Sequence, residues 1–220
     1  MFDIYRKYHV FDCDGVLVNS NALKLDALRN TLMFLGCPVG FIDWAVEEFR
    51  RNFGRTRSDH FNIFSQYEGI AEYKFDPTNV DLAVKHYGQQ VELLYLTCPL
   101  IEETLSYISR HVSDNNMFVV SASNQNELRN ILPMRVPQIS SDHIFGGPIK
   151  KAENLKRLVQ EKGVENIVFY GDAVQDAKAA IQVGVAFVGL EKYSADPGAF
   201  RNYCLENNLI YFNSCAEIIL

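Results

Sequence analysis

The chain has 220 residues, with 21 Lys and Arg against 27 Asp and Glu for a net charge of −6, and 48% of them are apolar. This is the composition of a globular chain with a sizeable core and room for a smaller second domain. Its acidity, with no extended basic run, argues against a dedicated nucleic-acid binder.

No apolar stretch approaches the roughly 20 residues that span a bilayer, and the opening MFDIYRKYHVFD lacks the apolar centre of a signal peptide. The expectation is a cytoplasmic protein whose partner is a small molecule, with no nucleic acid and no membrane. Five cysteines (13, 37, 98, 204 and 215) are odd in number and form no CxxC pair, which reads as reduced packing residues. His9, His60, His86, His111 and His143 show no ligand spacing and read as surface or packing groups. GxSxG, GxxxxGK[ST] and GxGxxG are all missing, which counts against a serine hydrolase, a P-loop enzyme and a dinucleotide-binding enzyme.

Taken in chain order, the first element is the apolar run Tyr8 to Phe11, which ends on Asp12. Its apolarity is continuous rather than alternating, which suits a strand buried on both faces of a parallel sheet. Four helices then follow: Asn21 to Leu35, Ile42 to Phe53, Ser58 to Tyr67 stopped by Glu68-Gly69, and Asn79 to Leu96. A fifth runs from about Leu100 to Ser109 into a second strand, Met117 to Val120, which ends on Ser121. A short strand is expected over Asp142 to Phe145, then a helix after Lys150-Lys151, a strand Ile167 to Tyr170 ending on Gly171-Asp172, the helix-like DAKAAIQVG and a strand Val185 to Val188.

Strands alternating with helices give a βαβ architecture, in which ligands collect at the carboxyl ends of the strands. Asp12, Ser121 and Asp172 are therefore expected to converge. The 109 positions from Asp12 to Ser121 far exceed the roughly 30 of a βαβ unit, so residues 20–97 read as an inserted all-helical domain, with 1–19 and 98–220 forming the core.

Asp12-Cys13-Asp14-Gly15 closes the first strand. Carboxylates two positions apart at a strand end project to the same side, and Gly15 permits a sharp backbone turn beside a ligand. An ionised aspartate attacks phosphorus without prior deprotonation, which makes Asp12 the candidate nucleophile. Asp14 would protonate the leaving oxygen and later take a proton from water, a role that needs an environment holding it near the working pH. A phosphate beside Asp12 calls for a hard divalent cation, to which Asp172 supplies a second carboxylate.

Asp176 lies one turn into its helix, on the face of Ala180 and Val183, and points inward; its partner is either a metal-bound water or the site lysine, unless it is simply a favourable helix N-terminal charge. Lys151 shares its face with Leu155 and Leu158 and faces in, whereas Lys150 lines up with Glu153, Asn154 and Arg157. In Ser121-Ala122-Ser123-Asn124, the Ser121 hydroxyl and the backbone N–H groups that follow, that of Ala122 among them, form an anion cradle, or else an ordinary helix cap.

Read in order, DxDGVLVNS, VVSAS, PIKKAEN and GDAVQD resemble the four motifs of the haloacid dehalogenase superfamily, and the helical insert resembles its C1 cap. The resemblance implies a Rossmann-like three-layer α/β core with a parallel sheet and an inserted helical cap. It implies Asp12 as nucleophile, Asp14 as acid/base with its backbone carbonyl on Mg²⁺, Ser121 and Lys151 on the phosphate, and Asp172 on Mg²⁺, which makes Asp12, Asp14 and Asp172 the metal set. The activity implied is phosphatase action on a small phosphorylated metabolite such as a sugar phosphate. The β-phosphoglucomutase type of phosphomutase is the alternative, and a non-catalytic metabolite-binding protein a third.

Asn19 and Ala173 stand where Asp and Ser or Thr are usual, and Lys24 stands where the mutase-like branch carries histidine. Lys24 reads either as a substrate contact or as an exposed helix lysine. Arg50-Arg51-Asn52-Phe53-Gly54-Arg55-Thr56-Arg57 resembles the specificity loop of such caps, in which the position of Arg57 faces the substrate. The bland reading is a solvated charge run, with Glu47 and Glu48 pairing Arg50 and Arg51.

Overall fold

The computed structural model describes residues 6–67 and 73–218, so Glu68-Gly69, the expected stop of the third helix, lies outside the described residues. Strand β1 (Tyr8–Phe11) leads into four helices: α1 (Asn21–Phe34), α2 (Val39–Arg51), α3 (Arg57–Phe64) and α4 (Val80–Thr97). The chain continues through α5 (Glu102–His111), β2 (Met117–Asn124), α6 (Gln125–Arg135), β3 (Ile144–Gly147), α7 (Lys151–Lys162), β4 (Ile167–Gly171), α8 (Val174–Val183), β5 (Ala186–Leu190), α9 (Pro197–Glu206) and β6 (Ile210–Phe212).

The six strands lie in the order β3-β2-β1-β4-β5-β6, and every pairing is parallel. The order reverses at β1, which has β2 on one side and β4 on the other, so the carboxyl end of β1 opens onto the crevice where such sheets bind ligands.

The apolar runs form strands because both sheet faces are covered. Phe11, Val119 and Tyr170 face one apolar cluster, and their neighbours Val10, Val120 and Phe169 face the other. The first cluster joins the sheet to α5, α6 and the aromatic interior of α1–α4, where Phe41, Phe61, Phe64 and Phe75 are buried. The second joins it to α7, α8 and α9 through Leu155, Leu158, Ala177, Ala180 and Phe200. Helices, sheet and helices make three layers, an α/β Rossmann-like architecture.

Element bounds differ from the sequence expectation where local signals compete. Helix α2 starts at Val39, directly after Pro38 and three residues earlier than expected, because proline is tolerated at a helix entrance. It stops at Arg51, before Gly54 turns the chain at φ +93°. Helix α3 spans Arg57–Phe64 rather than Ser58 to Tyr67, with Thr56 accepting from the Asp59 N–H at 3.3 Å. Strand β2 runs on to Asn124, so Ser121 and Ala122 are extended backbone, and β3 lies two residues later than expected. Helix α9 and edge strand β6 were not expected from the sequence. Among the described residues, no helix is long and apolar enough to cross a membrane.

Candidate active site

Asp12 follows the last residue of β1, and its N–H donates to the Tyr170 carbonyl at 2.9 Å, which fixes it against the neighbouring strand. The residue is 3% exposed. Lys151, the first residue of α7, reaches Asp12 Oδ2 with its ammonium at 2.7 Å and also bonds Asp176 Oδ1. The inward face read for Lys151 is therefore correct, and Lys150 is exposed. Asp176 has the lysine partner, and its other oxygen accepts the Ala173 N–H at 3.1 Å. It thereby closes the start of α8 as well, where Ala173 has no side-chain oxygen to do so.

Asp172, directly after β4, joins the same group. One carboxylate oxygen from each of Asp12, Asp172 and Asp176 lies within 4.8 Å of the others. Three buried carboxylates thus face one ammonium. Burial and mutual repulsion outweigh Lys151, pushing Asp12 up to about 7 and Asp172 well above the usual carboxylate range. Lys151, drawn by Asp12 and Asp176 against the cost of burial, is shifted upward and stays an ammonium.

The close approach of Asp172 depends on Gly15. At φ +74° a Cβ there would lie 2.1 Å from Asp172 Oδ2. Asn21, at the start of α1, donates to the same oxygen at 2.7 Å and to the Tyr193 carbonyl at 2.8 Å. An all-oxygen pair, Asp12 and Asp172, crowded and short of positive charge, fits a hard divalent cation. Asp176 is the wall behind Lys151.

Asp14 lies in a different environment. Lys24 Nζ is 2.5 Å from Oδ2, Ser20 Oγ donates to Oδ1 at 2.5 Å, the Tyr95 hydroxyl lies 2.9 Å from Oδ1, and Ser123 Oγ donates to Oδ2 at 3.0 Å. Burial pushes this carboxyl up, but Lys24 and the hydroxyls prevail and hold it below its ordinary value. The expectation of an Asp14 poised near the working pH is corrected: four donors stabilise its ionised form. Its side chain points into this cluster rather than toward the Asp12–Asp172–Asp176 group.

The exposed-lysine reading of Lys24 also fails. It is 6% exposed, and its ammonium further donates to Ser123 Oγ at 2.7 Å.

Asp12, Asp14, Asp172, Ser121, Ala122 and Lys151 line one cavity of about 30 Å³, so the expected convergence of the strand ends is found. Helices α1 and α3 add Lys24 and Arg57 to its wall. Gly15 and Asp176 stand behind Asp172 and Lys151. The Ser121 hydroxyl is fully buried and accepts the Ser123 N–H at 3.2 Å.

Arg57 is fixed by Glu127 of α6 in a two-pronged pair, Nη1–Oε1 2.7 Å and Nη2–Oε2 2.5 Å, and its guanidinium lies 5.5 Å above the Tyr87 ring. The solvated reading holds only for part of the arginine run. Arg50 and Arg51 both pair with Glu47, whereas Glu48 takes the Asn52 amide.

Asn21, Tyr95 and Glu127 escaped the sequence reading, since their partners lie 151, 81 and 70 positions away. His60, read as packing, does pack: it stacks on Phe49 at 3.8 Å and lines the cavity, and burial pushes it down to about 3.

Among solved structures the chain is similar to a hydrolase from Pseudomonas syringae at 15% identity and TM-score 0.72, covering 96% of this chain and 95% of that one. It is similar to CbbY from Rhodobacter sphaeroides in complex with phosphate at 16% identity and TM-score 0.71, covering 96% of each. A protein provisionally described as a beta-phosphoglucomutase, from Bacteroides vulgatus, matches at 16% identity and TM-score 0.75 over 96% of this chain and 85% of that one. At such identities these likenesses speak to the fold. No curated protein sequence matches the chain. A family model for haloacid dehalogenase-like hydrolases matches residues 7–184, a span running from β1 to the end of α8 that takes in every carboxylate and lysine of the site, and the chain belongs to that family.

Proposed function

We propose that the protein is a Mg²⁺-dependent phosphatase that hydrolyses a small phosphorylated metabolite, such as a sugar phosphate, through an aspartyl-phosphate on Asp12. The observation that carries this reading is the Lys151–Asp12 pair at 2.7 Å on the central strand, with Asp172 crowded against it, in a cavity shared with Ser121 and Ala122. The five buried, unpaired cysteines suit a reducing compartment and hence cytoplasmic action.

Lys151, the Ser121 hydroxyl and the Ala122 N–H bind the phosphoryl oxygens and orient phosphorus toward an Asp12 oxygen. Asp12 attacks, the bond to the leaving oxygen breaks, and that oxygen takes the proton of Asp14 in its acid form, leaving the Asp14 carboxylate. Water then attacks the phosphorus of the aspartyl-phosphate and gives its proton to Asp14, which releases phosphate and restores Asp12. The hydrogen-bonded carboxylate of Asp14 is ready for this second half. Donation to the leaving oxygen requires its cluster to loosen, which movement of α1 and α4, the carriers of Lys24 and Tyr95, provides. Mg²⁺ held by Asp12 and Asp172 would neutralise the repulsion between these carboxylates and the phosphate.

The test is release of inorganic phosphate from p-nitrophenyl phosphate. Asp12→Asn lowers kcat on the order of 10⁴-fold, and chelation of magnesium abolishes turnover. Turnover that survives either change overturns the reading, whereas sugar-phosphate isomers with little free phosphate would identify a mutase.

A further inference from the structure

The cavity over Asp12, at about 30 Å³, has room for little more than a phosphoryl group. The rest of a substrate must lie elsewhere. Gly54, Arg55, Ala122 and Lys151 form a wall shared with a second hollow of about 220 Å³, further lined by Lys150 and Lys178. Both hollows abut Ala122 and Lys151, the residues proposed to hold the phosphate, so this groove is the space beside the reacting group where the leaving group can extend.

Its chemistry is cationic in a protein of net charge −6. Arg55 and Lys150 are exposed, and among the described residues neither takes part in an ion pair. Lys178 leans its ammonium over the Tyr203 ring at 5.6 Å, and Asp59 is the groove's acidic member. Arg57, the cation deeper in the cavity, is already engaged on both prongs by Glu127, and a Cβ on Gly88 would lie 2.8 Å from its Nη1, so it is packed in place. A carboxylate or phosphate on the leaving group therefore finds its unpaired cations at Arg55 and Lys150.

We infer that the substrate carries a second anionic group, a carboxylate or phosphate, bound in this groove by Arg55 and Lys150 while Glu127 withdraws Arg57 from that role. The inference rests on the phosphatase reading for the reaction, though not for the binding.

Binding is measured by calorimetry on the Mg²⁺-supplemented protein with 3-phosphonopropionate, 4-phosphonobutyrate and 5-phosphonopentanoate, against butylphosphonate, which has no second charge and cannot be hydrolysed. Wild-type protein binds at least one phosphonocarboxylate roughly tenfold more tightly than butylphosphonate. Arg55→Gln and Lys150→Gln each remove about fivefold of that preference and leave butylphosphonate affinity unchanged.

Equal weakening of charged and uncharged ligands in the Arg55 and Lys150 variants means general attraction only and overturns the inference. So does a preference lost in Arg57→Gln but kept in the other two, and so does the absence of any preference in the wild type. Preference without phosphate release from any substrate would sink the phosphatase reading and leave the anion subsite standing.

Discussion

The two aspartates of Asp12-Cys13-Asp14 stand two residues apart, both buried, and titrate in opposite directions. On the Asp12 side the acids and the lysine come from strand ends and from α7 and α8, and two further carboxylates, Asp172 and Asp176, crowd the one lysine that Asp12 and Asp176 share. On the Asp14 side α1 and α4 contribute, and one carboxylate receives an ammonium and three hydroxyls. Residue type and burial are the same, so the ratio of donors to acids decides the charge state. The first half-site is short of positive charge, whereas the second is saturated.

The largest effect expected from this contrast is at Lys151. Lys151→Met strips from Asp12 and Asp176 the ammonium they share and costs about 3–5 kcal/mol in chemical denaturation, as expected when a buried pair loses one partner. Lys24→Met, which leaves Asp14 three hydroxyl donors, costs clearly less. Equal losses would contradict the asymmetry.

The next is a pH effect on the metal-free protein. Asp12 is raised to about 7, so the native state holds its proton over a range where the unfolded chain has released it. Its contribution to stability is present below the unfolded value near 4 and is lost as pH rises toward 7. Metal-free Asp12→Asn is accordingly more stable than metal-free wild type at pH 8 by about 2–4 kcal/mol, with the difference vanishing near pH 4. Magnesium closes the gap at pH 8 by binding the wild type. A constant difference across pH would contradict the crowded-carboxylate account.

Smallest is Tyr95→Phe, which removes one donor from Asp14 and costs about 1 kcal/mol. That hydroxyl holds Asp14 down, so the acidic limb of the kcat profile moves to higher pH in the variant. An unmoved limb with the same stability loss would reduce Tyr95 to packing.

What the sequence made legible divides along the same line. Lys151 and Asp176 were readable because each faces inward with the apolar residues of its own helix, a local periodicity. Asp12 and Asp172 were readable because each ends a continuous apolar run. The donors around Asp14 were not: Tyr95, Ser123 and Lys24 meet it only after α1 and α4 fold over β1 and β2, and no spacing within one element records that meeting. Glu127 was hidden for the same reason, since it belongs to the first turn of α6 and on its own reads as ordinary helix N-terminal charge. Edge strand β6, three half-buried residues, offers too short a pattern to separate from a turn.

The apolar cluster that runs unbroken from Phe11 and Val119 into Phe41 and Phe61 has a mechanical consequence. Lid and floor share one interior, so lifting the helices off the cavity would expose apolar surface as well as break ion pairs. Arg57 with Glu127, and Lys24 with Asp14, tie the same two layers together beside that interior. Both pairs are largely buried, so added salt screens them far less than surface pairs and does little to loosen the join.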